Sequence, residues 1–152
     1  MRKAVRAIVV RNDELLVMKR DKFGHVYYTL VGGGIDFGET PEQALYREVA
    51  EETGIEIKNP FLVYVEEVEA PYGTQYNYVC EYVGGEPVLH PDSQEAQIAK
   101  LGKNLHTPQW IKIVDLEKLP FRSANLKAHL LRDLKGSFPD VVETFQSTAT
   151  IA

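Results

Sequence analysis

One cysteine, Cys80, in 152 residues leaves no partner for an internal disulfide, so burial has to hold the chain together. No apolar run approaches the length of a membrane span. The short stretch Ala7 to Val10 is hemmed by Arg6 and Arg11 and falls short of a secretory leader. Basic residues are in deficit, 17 Lys and Arg against 22 Asp and Glu, which argues against a dedicated nucleic-acid backbone binder and says nothing about small nucleotides. Repeats, low-complexity tracts and interdomain linkers are absent too. The expectation is a cytoplasmic protein with neither a membrane nor a nucleic-acid polymer as partner. Its 44% apolar content suits one compact domain over residues 1–138, with a loosely held tail at 139–152.

The net charge of −5 is concentrated. Gly33 to Ile55 holds six carboxylates and one base, Arg47, so this window accounts for the whole excess and the rest of the chain is balanced. Acid spread for solubility would not collect in 23 residues, which makes the window the first candidate for function.

Strands are expected at Ala4 to Arg11, Leu15 to Lys19, His25 to Val31, Phe61 to Val68, Thr74 to Val83 and Gln109 to Val114, with a hairpin turn at Asn12-Asp13-Glu14. They imply a mixed sheet. Gly32-Gly33-Gly34 reads as a loop where backbone can approach a ligand, leading to a helix N-terminus able to receive an anion. The helix itself is signalled by Thr40 as N-cap, Pro41 at its first position, Gln43 completing a capping box and Gly54 as the stop. A second helix is expected over Ser123 to Lys135, from the spacing of Leu126, Leu130, Leu131 and Leu134. Pro87 to His106 is long for a passive connection and is expected to border a site.

Glu48, Glu51 and Glu52 stand at i, i+3 and i+4, with Cβ atoms roughly 5 to 6 Å apart on one helix face. Each like-charged pair costs an isolated helix about 0.2 to 0.5 kcal/mol, and the C-terminal half of a helix disfavours anions further. A hard divalent cation reverses both effects, because carboxylate oxygens are the ligands that Mg²⁺ or Mn²⁺ prefers. Arg47 points about 100° around the helix from Glu48, which suits pairing with Glu39. The histidines show no metal-ligand spacing and are assigned nothing.

Gly33, Glu39, Arg47-Glu48-Val49, Glu51-Glu52 and Gly54-Ile55 together match every defined position of G-x5-E-x7-R-E-U-x-E-E-x-G-U, where U is aliphatic. The chain thereby resembles the Nudix hydrolase family. The stretch Pro108-Gln109-Trp110-Ile111 through Leu119-Pro120 also looks like this family. The resemblance implies an α+β fold, an α/β/α sandwich around a mixed β-sheet. It also implies hydrolysis of a nucleoside diphosphate linked to another group, by water attack on phosphorus with Mg²⁺ or Mn²⁺ as cofactor. Glu48, Glu51, Glu52 and the Gly32 carbonyl become metal ligands, Glu39 and Arg47 fix the loop, and Glu48, Glu52 or a later carboxylate, Glu95, serves as general base. Arg6, Lys19 and Arg20 are candidates for phosphate contacts. Tyr28, Phe23, Tyr64 and Tyr76 are candidates for stacking on a base.

One departure concerns the residue before the paired glycines, Val31 where many relatives have proline. Pro71 and Tyr72 carry opposing clues to the branch, and the Ser-Gln-Pro-Trp-Pro-Phe-Pro run of the NADH-directed branch is absent, which weighs against that option. Nucleoside triphosphates, nucleotide sugars such as ADP-ribose and dinucleoside polyphosphates remain open as substrates, as does a nucleotide sensor without turnover. Homodimers are common in this family, and the resemblance leaves one open for this chain.

Overall fold

Strand β1 (Lys3–Arg11) is apolar on both faces because it is the centre of the sheet. Asn12 and Asp13 both adopt positive φ and turn the chain in two residues into β2 (Glu14–Lys22), as the hairpin reading anticipated. The computed structural model describes residues 2–88 and 104–152. Among them no helix is long and apolar enough to cross a membrane.

The strand expected at His25 to Val31 is divided. β3 (His25–Thr29) pairs with β2, whereas β4 (Val31–Gly34) pairs antiparallel with β1, from Ala4 opposite Gly34 to Ala7 opposite Val31. The three glycines therefore belong to a strand and not to a loop. Close strand approach is the reason: a Cβ on Gly32 would sit 1.9 Å from the Val5 carbonyl oxygen, and φ there is +154°.

Helix α1 (Pro41–Thr53) follows, with both halves of the Thr40/Gln43 capping box formed and Gly54 left-handed at its end. β5 (Glu56–Val68) and β6 (Gly73–Gly84) form an antiparallel pair, and β6 also runs parallel to β1. β7 (Asn104–Lys112) pairs along the whole of β2. A 3-10 turn (Ile113–Lys118), helix α2 (Ala124–Asp133) and β8 (Glu143–Ser147) complete the chain. The spatial order is β3-β2-β1-β6-β5-β8, with β4 on β1 and β7 on β2. The result is the mixed sheet and α+β class that the sequence implied.

Residues 139–152 were expected to be loose, yet Glu143–Ser147 adds a parallel strand to β5. The Phe145 ring stacks on His129 with centroids 3.8 Å apart, and Glu143 meets Arg132 at 2.8 Å. Those contacts are long-range, and a five-residue alternating strand has no local signal strong enough to announce them.

Two cores fill the faces of the sheet. Leu45, Val49 and Ala44 of α1 pack on Val5, Ala7 and Val9 of β1. On the other face Leu126 and Leu130 of α2 pack with Ile8, Leu15, Val17 and Tyr64. Burying α1 in this way fixes its other stripe toward the edge of β4. Removing one fully buried side chain such as Leu45 costs about 2 to 5 kcal/mol.

Candidate active site

Glu48 and Glu52, one helical turn apart on α1, are 8% and 5% exposed. Buried carboxylates need partners, and β4 supplies one: the Gly32 N–H donates to Glu52 Oε2 at 3.2 Å. Gly33 makes the room. A Cβ there would lie 2.6 to 2.7 Å from all three atoms of the Glu48 carboxyl group. The glycine strand thus lies against the C-terminal half of α1. The helix N-terminus, expected to be open to an anion, is already capped by the Thr40 hydroxyl, which accepts from the Gln43 N–H at 3.1 Å.

Arg47 does more than pair with Glu39. It donates to Glu39 Oε2 at 2.7 Å and Oε1 at 2.9 Å, to the Gly34 carbonyl at 3.0 Å and to Glu48 Oε1 at 2.9 Å, with Glu51 at 3.4 Å. A long side chain can thus reach its sequence neighbour by curling along the helix surface, which a reading of helical angles alone does not show. Hydrogen bonds from Arg47, helped by the Asp36 N–H, hold the Glu39 carboxyl down at about 2. The same bonds, Glu39 first, raise the Arg47 guanidinium well above its ordinary range.

These groups line a cavity of about 550 Å³ that also takes basic side chains. Arg2, Arg6 and Arg20 line it together with Glu48, Glu51, Glu52 and the three glycines. Arg6 is half-buried in β1 and donates to Gln75 Oε1 at 3.0 Å and to the Leu30 carbonyl at 3.3 Å. Burial pushes its guanidinium down to about 10, opposed by Glu52, while Arg122 and Arg2 lower it further. Arg6 therefore stands between the carboxylates and a group of like charges.

The remaining candidates divide by strand alternation. Arg20 shares the face of β2 that carries Met18 and opens on the cavity. Lys19 and Tyr28 are cross-strand partners on the opposite face, where Tyr28 packs on the α2 core, so the cavity does not receive them. Tyr64 is fully buried and bonds Asp133, Tyr76 packs on the α1 core, and Phe23 is exposed at the β2–β3 turn. Glu95 lies outside the described residues. Thr29 and His106 also line the cavity, and neither has a local sequence signal. Arg6 had one: a lone charge inside an otherwise apolar strand.

The donor set suits a hard divalent ion. It consists of carboxylate oxygens, with a glycine cradle around Glu48. Among the described residues no three His, Cys, Asp or Glu side chains are already gathered in coordinating geometry, and Glu48 and Glu51 both engage Arg47.

A family model described as NUDIX domain matches residues 1–134. Curated relatives include a protein of Pseudomonas entomophila named NAD-capped RNA hydrolase NudC, 32% identical over 74% of this chain, and its Pseudomonas putida counterpart, 34% identical over the same share. This chain spans 37% of the length of each. Among solved structures, a mutator MutT protein from Bacillus halodurans superposes with a TM-score of 0.67 at 22% identity, covering 99% of this chain and 94% of the other. An ADP-ribose pyrophosphatase from Streptococcus suis gives 0.66 at 18% identity, covering 95% and 98%. At those identities the two structures speak for the fold.

Proposed function

Because this chain belongs to the Nudix family, we propose that it is a divalent-metal-dependent pyrophosphohydrolase acting on a nucleoside diphosphate linked to another group. One observation carries the reading. Two carboxylates, Glu48 and Glu52, are buried on a single helical stripe and line a cavity that the guanidiniums of Arg2, Arg6 and Arg20 line as well. A solvated acidic face would leave both exposed; carboxylates and guanidiniums lining one cavity suit a phosphate chain bridged to the carboxylates by cations.

In this reading Glu48 and Glu52, with Glu51 and the Gly32 carbonyl, hold Mg²⁺ or Mn²⁺. Such an ion, when bound, polarises phosphorus and acidifies water. Arg47, locked to Glu39 and Gly34, fixes the rotamer of Glu48 and the approach of β4 to α1. Arg6 and Arg20 orient phosphate oxygens. Water attacks one phosphorus, the bond to the bridging oxygen breaks, and Glu48 or Glu52 takes the proton from the water; Glu95 is a further candidate for that base. The products are a nucleotide and a phosphorylated second group. A cytoplasmic homodimer belongs to the same proposal.

The test is a screen of nucleoside triphosphates, ADP-ribose-like nucleotide sugars, dinucleoside polyphosphates and NAD-capped RNA with Mg²⁺ or Mn²⁺, in ¹⁸O water, with products identified by mass. Metal-dependent release of a nucleotide and a phosphorylated second product is expected, with one labelled oxygen on whichever of the two held the attacked phosphorus. Tight nucleotide binding without any product would make the chain a sensor and overturn the proposal.

A further inference from the structure

The chain has seven arginines, and they fall into two groups. Arg11, Arg47 and Arg132 each bridge a carboxylate at 3.5 Å or less. The other four, Arg2, Arg6, Arg20 and Arg122, have no carboxylate bridge among the described residues. All four line either the cavity just described or a smaller one that adjoins it through Arg6, Thr29 and Leu30. Arg2 is exposed and the other three are half-buried. The carboxylate lining the smaller cavity, Glu66, accepts from the Ser123 hydroxyl and does not bridge Arg122, so guanidiniums gathered here favour an anionic ligand.

Two of them are held in place without being neutralised. Arg122 donates to the hydroxyls of Tyr27 at 3.2 Å and Tyr72 at 3.5 Å, and its guanidinium lies 4.5 Å from the Tyr72 ring centroid. Arg20 and Arg122 lie 5.7 and 5.2 Å from the centroid of the same ring, Tyr27. The Arg20 Nε is buried with no hydrogen-bond partner among the described residues. A fixed, fork-shaped donor set aimed at a cavity is the arrangement that takes phosphate oxygens.

We propose that Arg6, Arg20 and Arg122 form an anion subsite for a phosphate beyond the scissile pair, making the substrate class nucleotides with three or more consecutive phosphates. This rests on the pyrophosphohydrolase reading. A nucleotide sugar brings only two phosphates, both needed at the carboxylate wall, and would leave these guanidiniums uncompensated. A nucleoside triphosphate or a dinucleoside polyphosphate carries enough charge to meet both the carboxylates and the guanidiniums. Arg122 is the specificity-determining member, because it stands farthest along the chain of adjoining cavities and makes no contact with the acidic stripe.

Calorimetric binding of α,β-methylene ADP and α,β-methylene ATP in Mg²⁺ buffer tests this, because the pair differs by one phosphate. The wild-type protein is expected to bind the triphosphate analogue at least tenfold more tightly, with a steeper loss on adding salt. Arg122→Ala and Arg20→Ala should each bring the ratio below threefold. Arg122→Lys, which keeps the charge and not the fork, should give an intermediate ratio, and melting curves establish that each variant is folded. Equal affinities in the wild type, or a ratio unchanged in both alanine variants, would overturn the subsite. Absence of hydrolysis on every substrate with the tenfold ratio intact would sink the hydrolase reading and leave the subsite standing.

Discussion

Three adjacent glycines give three different outcomes when each is replaced by alanine. At Gly32 the new Cβ meets backbone: Val5 O at 1.9 Å, Val5 C at 2.8 Å and Arg6 Cα at 3.0 Å. Strand β4 would have to withdraw from β1 by about 1.5 Å to reach an ordinary contact, weakening the ladder between them. Together with strained φ this is worth roughly 3 kcal/mol or more, or a fall in Tm of about 6 to 12 °C for a chain of this length. At Gly34 nothing lies within 4 Å, so stability should hold or rise by about 0.4 to 1 kcal/mol from the stiffer unfolded chain. At Gly33 the Cβ meets only the end of Glu48, at 2.6 to 2.7 Å, so the carboxyl group must shift while the backbone stays. Gly33→Ala should therefore keep its Tm within about 2 °C and lose about 100-fold in turnover, the cost of misplacing a reacting group by an ångström. Thermal melts of the metal-free variants beside their hydrolysis rates provide the measurement. Full activity in folded Gly33→Ala, or equal destabilisation at Gly32 and Gly34, would refute the placement of β4 between β1 and α1.

Glu52→Gln can still accept from the Gly32 N–H, so it should melt at or slightly above the wild-type temperature without metal while turnover falls about 100-fold or more. A clear drop in apo Tm would contradict that separation of roles. The Glu39 carboxyl is held at about 2 against an ordinary 4.5, so the stability it contributes is complete above pH 4.5 and drains as pH falls toward 2. In Glu39→Gln the denaturation midpoint should be lower at pH 7 and should fall less steeply below pH 4.5; parallel curves would argue against the Arg47 pairing. Burial pushes the Cys80 thiol up to about 12, so a maleimide at pH 7 should label it only in denaturant.

What could be seen from sequence depended on how local its cause is. The Asn12-Asp13 turn, the Thr40/Gln43 capping box and the Gly54 stop are each decided within a few residues, and all three stand as read. The acid stripe was equally legible, because helical geometry alone puts Glu48 and Glu52 on one face. The basic residues were legible in part: the sequence offers Arg6 and Arg20 as candidates for phosphate contacts, and not Arg122. Arg6, Arg20 and Arg122 come from three separate segments, and only the pairing of β1 with β4 and β6 and of β2 with β3 brings them to two adjoining cavities. Lys19 illustrates the same limit from the other side: it adjoins Arg20 in sequence, yet the pleat of β2 turns it away. The glycine triplet was recognised as a place of close approach, but its partner is the backbone of β1 on one side and the acid stripe on the other.

Strand β1 also acts as a ruler. Val5 and Ala7 are buried on its α1 face, Arg6 and Ile8 project from the reverse, and Gly32 lies opposite Arg6 while its N–H is held by Glu52. The interval from acid stripe to guanidinium is thus set by a single peptide thickness inside a hydrogen-bonded sheet, and no hinge interrupts it. Efforts to retune this protein toward longer or shorter ligands should leave that interval alone and work at the rim, on the turn that carries Tyr72 and on the first residues of β7, where side chains can be exchanged without sliding the sheet.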